Sequence, residues 1–137
     1  MTTIAPQTAP EAVSRVHTDL FVDGEWAPAA SGKRFDVVNP ATEEVLAQVA
    51  DADAVDARRA LETAAAHQAE WATTSPRFRS EILYRAHQLI MTRADEIAAV
   101  MTAEMGKPLA EAKGEVAYGA EFFRWFAEEA VRIGGDS

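Results

Sequence analysis

The chain of 137 residues contains no cysteine. That excludes disulfides, thiolate metal sites and a thiol nucleophile from this stretch of sequence. No apolar run approaches the roughly 18 residues needed to cross a bilayer. Basic residues are scarce, with 13 Lys and Arg against 22 Asp and Glu, a formal charge of -9. That balance argues against binding a phosphate backbone or an anionic membrane surface. Residues 1–20 carry Arg15 as their one Lys or Arg and have no apolar h-region, so they read neither as a secretory signal nor as a transit peptide. Internal repeats are absent, and so is low complexity beyond a general richness in alanine. These absences suit a cytoplasmic protein, and that location is expected.

What is present reads as an α+β segment. The 48% hydrophobic and 26% charged fractions are those of an ordinary globular chain. Thr, Ala and Pro crowd the first ten residues, and 1–18 is expected to be a mobile tail, with structure beginning at residue 19. Leu20 to Trp26 reads as a small hairpin around Asp23-Gly24, the pair that supplies the positive φ angles of a type I′ turn. Arg34 to Val38 and Val45 to Val49 read as strands, joined by the turn Asn39-Pro40-Ala41-Thr42-Glu43. About four helices follow. One is capped by Asp51 or Asp53 and runs to Trp71. A second starts at Ser75-Pro76 and carries Ile82, Leu83, Ala86, Leu89 and Ile90 on one face. A break near Ala94-Asp95 leads into a third, which stops at Gly106. The last is expected to run from Pro108 or Leu109 to Ile133, about 37 Å. Its stripe of Leu109, Ala112, Val116, Ala120, Phe123, Ala127 and Ala130 is widened by Phe122, Trp125, Phe126 and Ile133. A helix apolar over so much of its girth is normally buried between two layers, and the elements before it do not supply both.

The candidate sites each have a plainer reading. Gly106-Lys107 lacks the earlier Gly (Met101) and the following Ser or Thr (Pro108) of a phosphate loop, so it reads as a helix stop. Asp51-Ala52-Asp53-Ala54-Val55-Asp56 opens like a calcium loop, with Glu62 at position twelve. Asp56 stands where Gly is required and Val55 has no ligand, so an acidic helix N-terminus fits better. His17, His67 and His87 share no metal-ligand spacing, and the latter two read as helix-surface residues. Glu111/Glu115 and Glu128/Glu129 read as solvated helix faces rather than acid–base pairs, with Lys107 or Lys113 in reach of Glu111. Gly134-Gly135-Asp136-Ser137 is not a nucleophile elbow. The residues themselves thus yield no catalytic and no cofactor-binding position.

Three segments carry a family resemblance: Phe21-Val22-Asp23-Gly24-Glu25-Trp26, Val38-Asn39-Pro40-Ala41-Thr42-Glu43 and Glu104-Met105-Gly106-Lys107-Pro108-Leu109. Their order and spacing resemble the start of aldehyde dehydrogenases. The wording from Gly106 to Val116, followed by Phe126-Ala127-Glu128-Glu129-Ala130, is most similar to the succinate-semialdehyde dehydrogenase branch. The resemblance covers residues 19 to 136. It implies that 19–137 is the amino-terminal part of an α/β cofactor domain, a small antiparallel β element and several helices that precede the main Rossmann-like strands. It also implies an enzyme that forms a cysteine thiohemiacetal, passes hydride to NAD or NADP and hydrolyses the acyl intermediate with help from a glutamate. A distal substrate carboxylate would be held by cationic or hydroxyl groups. By the same resemblance the cysteine, the glutamate, an oxyanion-hole asparagine and the phosphate-binding strands all lie downstream of these residues.

The chain alone is therefore expected to be inactive and to bind no dinucleotide. Its expected partners are the remainder of the fold, a small aldehyde and, for the full-length enzyme, further copies of itself, with no nucleic acid and no membrane. The resemblance further suggests a monovalent cation near the Val38 carbonyl and Glu104. Alternatives are an aldehyde dehydrogenase of another substrate branch and a non-catalytic helical module whose partner covers the Phe122/Phe123/Trp125/Phe126 surface.

Overall fold

The structure, a computed structural model, describes the backbone over residues 9–133. Nine elements follow in order: α1 (Ala9–Val13), β1 (Leu20–Val22), β2 (Glu25–Ala27), β3 (Arg34–Val38), β4 (Val45–Ala50), α2 (Ala54–Thr73), α3 (Pro76–Thr92), α4 (Ala94–Met105) and α5 (Leu109–Ala130). The architecture is the expected one: small antiparallel strand pairs, then helices.

The turns form where the local chemistry demands them. Asp23 and Gly24 both take positive φ, 59° and 79°, and close the β1–β2 hairpin with Phe21 opposite Trp26. In the β3–β4 turn, Asn39 Oδ1 accepts from the Ala41 amide at 2.9 Å, and Glu43 enters the left-handed region at φ 62°. The β3–β4 register shifts between Val37 and Val38, because Val37 faces Ala47 while Val38 faces Val45. The two hairpins are joined through Arg34. Its guanidinium donates to Asp19 Oδ1 and Thr18 Oγ1, each at 2.7 Å, and to the Gln48 carbonyl at 2.8 Å.

Helix ends follow their caps. Asp53 accepts from the Val55 and Asp56 amides, and Asp56 reaches back to the Asp53 amide, a reciprocal capping box. Ser75 Oγ accepts from the Phe78 amide at 3.2 Å, with Pro76 in the first turn. Arg93 both ends α3 and starts α4, one residue from the expected break. Gly106 closes α4 at φ 80°. The last helix stops at Ala130, short of Ile133, because Val131 and Arg132 form a turn in which the Arg132 amide donates to Glu129 O.

The tail requires a correction. Residues 1–8 lie outside the described residues, as does Gly134 to Ser137. Within the 1–18 segment expected to be a mobile tail, Ala9–Val13 forms a short helix. α1 packs on α4 and touches β4, with Ala12 fully buried. A methyl group at the contact lets the backbones approach closely. The Arg15 and Val16 amides then donate to the Ala12 and Val13 carbonyls and turn the chain toward β1.

The core is made of small side chains. Ala98, Ala112 and Val116 form its centre at the α4–α5 crossing, packed by Ile90, Ala94, Ile97 and Met101. Ala99, Ala103, Ala120 and Ala127 are buried as well. Of the expected α5 stripe, Ala112, Val116, Ala120 and Ala127 are buried, whereas Leu109 and Phe123 remain exposed. No helix among the described residues is long and apolar enough to cross a membrane.

Candidate functional site

Two of the resembling segments, distant in sequence, meet in the fold. A Cβ placed on Gly106 would lie 2.9 Å from Pro40 Cγ. Real Cβ atoms essentially never come so close, so the α4–α5 junction has room only for glycine against the Asn39-Pro40 turn. Gly106 is thereby required twice, by its left-handed φ and by the proline ring. Beside it, Lys107 is nearly buried, its side chain 11% exposed, and its ammonium pairs with Glu115 on the first turns of α5. Lys113 pairs with Asp95 at 2.8 Å. The two lysines thus hold Glu115 and Asp95 instead of Glu111, and they draw α5 onto α4 and its preceding loop.

Gly106-Lys107 is a joint rather than a phosphate cradle. The Gly106 amide, which a phosphate loop would present to its ligand, donates to Thr102 O at 2.9 Å. The Lys107 ammonium is engaged by Glu115. These residues do not fit a dinucleotide phosphate.

The acidic segment at 51–62 is likewise structural. Asp56 is buried, and its two carboxylate oxygens accept from the Ala30 amide at 3.1 and 3.2 Å. Oδ2 also accepts from the Asp53 amide at 3.3 Å. One carboxylate therefore caps α2 and latches the loop before β3. Reading the segment for metal binding misses this, because the Ala30 partner lies 26 residues away. Glu62 sits exposed along α2.

The three histidines are scattered. His17 stacks on Trp26 with ring centroids 4.2 Å apart and planes 10° apart. His67 Nε2 lies 3.1 Å from Asp23 Oδ1, both side chains well exposed. His87 departs from the expected surface position, because its side chain is 19% exposed where α3 meets α5, 3.7 Å from Glu121. Glu128 faces the Tyr84 hydroxyl at 3.4 Å and Glu129 pairs with Arg132 at 2.5 Å. Neither carboxylate is aimed at the other. Among the described residues no group of three His, Cys, Asp or Glu is placed to hold a metal ion.

Glu104 lines a cleft that Val38 itself does not line. Glu104, at the end of α4, lines it together with Val37, Leu46, Ala47, Val49 and Val100, and Val38 follows Val37 at the register shift. Such irregularities disrupt the ladder locally. Among the described residues Glu104 makes no ion pair within 4 Å. Glu104 supplies the one carboxylate among the cleft's lining residues, a hard oxygen ligand.

At the N-terminus of α4, Arg93 Nε donates to Glu96 Oε2 at 3.0 Å. That hydrogen bond holds the Glu96 carboxyl below its ordinary range, against a smaller desolvation effect that raises it.

The outer face of α5 is rich in exposed aromatics. Tyr118, Glu121, Phe122, Trp125 and Phe126 line an open groove of about 320 Å³. Tyr118 and Trp125 are 69% and 62% exposed. Tyr118 and Phe122 meet edge to face at 5.2 Å. A second apolar hollow lies between Trp71, Ile82, Leu83, Phe126 and Ile133. The groove has the volume of a ligand pocket, but a single helix lines it, so it has a floor and no opposite wall.

Comparison with known proteins bears on this open face. The model of the aldehyde dehydrogenase family matches residues 26–137. A succinate-semialdehyde dehydrogenase of Paenarthrobacter nicotinovorans is 60% identical over 88 residues, which is 64% of this chain and 20% of that protein. A glutarate-semialdehyde dehydrogenase of Pseudomonas putida is 45% identical over 117 residues, 85% of this chain and 24% of that protein. The crystal structure of succinate-semialdehyde dehydrogenase from Burkholderia pseudomallei superposes with a TM-score of 0.85 at 43% identity, covering 90% of this chain and 26% of that one. The chain spans about a quarter of the length of these relatives. With the three motif segments, the Gly106–Pro40 joint and this match over most of its length, the chain belongs to the aldehyde dehydrogenase family.

Proposed function

We propose that these residues are the amino-terminal part of an NAD(P)-dependent, cytoplasmic aldehyde dehydrogenase whose substrate is a semialdehyde with a distal carboxylate, succinate semialdehyde foremost. The observation that carries this reading is the 60% identity to a succinate-semialdehyde dehydrogenase. Glutarate semialdehyde, named for another relative, differs by one methylene, and one methylene in a pocket is worth only about 1–3 kcal/mol of discrimination. The substrate class is therefore a short aldehyde with an anionic tail.

The bound dinucleotide would accept hydride from the substrate. No residue of this chain touches the reacting atoms. It has no cysteine, so the thiolate that would attack the aldehyde comes from the remainder of the enzyme, as do the dinucleotide site and the groups that hold the carboxylate. What this chain supplies is a layer: Trp71 of α2, Ile82 of α3, Phe122, Trp125 and Phe126 of α5, and Ile133 just beyond it face the rest of the fold. An oligomeric full-length enzyme, and a monovalent cation between the Val38 carbonyl and Glu104, belong to the same proposal. The aromatic face alone would also suit an interaction module, but the family match over residues 26–137 favours the enzyme.

The test is kinetic. The 137-residue chain is expected to give no NAD(P)H from succinate semialdehyde, while an enzyme that carries it at its amino terminus turns the substrate over. That enzyme is expected to prefer four- and five-carbon semialdehydes over an uncharged aldehyde of equal length in kcat/KM. Dehydrogenase activity in the 137-residue chain, or a preference for the uncharged aldehyde, would overturn the proposal.

A further inference from the structure

We draw no further inference here: the strongest candidate, the aromatic groove along the outer face of α5 lined by Tyr118, Glu121, Phe122, Trp125 and Phe126, belongs to the face already assigned to the remainder of the enzyme, and nothing in the structure shows a second occupant for it.

Discussion

The two sides of α5 follow opposite rules. Toward α3 and α4 it buries Ala112, Val116, Ala120 and Ala127, while its outer side exposes Tyr118, Phe122, Trp125 and Phe126. A self-sufficient domain would place its aromatics inside, because they bury the most area and dominate core energetics. Here the small residues do the internal packing and the large ones face outward. Alanine at a helix crossing sets how closely two backbones approach but contributes little transfer free energy. The inner seam therefore determines geometry, and the outer face holds stabilisation that only a covering layer can realise.

Substitutions on the two sides should separate these roles. Ala112→Asp places an unpaired charge at a fully buried position, and about 3–5 kcal/mol of destabilisation is expected. Trp125→Ser on the outer face should change the stability of this chain by no more than about 0.5 kcal/mol. Urea melts of the two variants check the contrast, and equal losses would break it. In an enzyme that contains the segment, Trp125→Ser should become the costly change, because the side chain is then covered.

The joint between the motif segments comes next in size. Gly106→Ala adds both the left-handed φ penalty and the encounter with Pro40, about 2–3 kcal/mol together. Gly32→Ala is the control, since Gly32 has φ 68° but open space around its Cβ, and about 1 kcal/mol is expected. Melting curves in which the two variants lose the same stability would remove Pro40 from the account.

A smaller effect is expected at the latch between α2 and the β3 loop. Asp56→Ala leaves the Ala30 and Asp53 amides without their acceptor and should cost about 1–3 kcal/mol. Hydrogen exchange should quicken at both amides, and unchanged protection would show that the latch holds nothing. The least effect belongs to Glu96. Its folded carboxyl lies below the ordinary range, so its contribution is present above that range and is lost as pH falls through it. The Arg93–Glu96 pair is solvent-accessible and screened. Glu96→Gln should therefore flatten the acid limb of the stability profile only slightly, and by less at high salt.

Local chemistry was legible in the sequence wherever partners lie close along the chain. Asp23-Gly24 made its turn, Ser75-Pro76 started its helix and Gly106 ended one. The excess of aromatics on α5 was visible as a surplus of apolar girth, and the motif order pointed to the family. Contacts between distant residues were hidden. Nothing near Asp56 announces Ala30, and nothing near Gly106 announces Pro40. The Thr-, Ala- and Pro-rich start concealed a docked helix, because Ala12 packs by being small and gives no hydrophobic signal of its own. His87 read as a surface residue because its neighbour Glu121 lies on another helix.

The central claim is that the aromatic face of α5 stands open in this chain. Its most direct test is the fluorescence of an apolar-surface dye added to the purified 137-residue chain at neutral pH, with solution mass measured in parallel. Strong dye binding or self-association is expected, reduced by Trp125→Ser and Phe126→Ser. A monomeric chain that melts cooperatively and leaves the dye dark would contradict the claim.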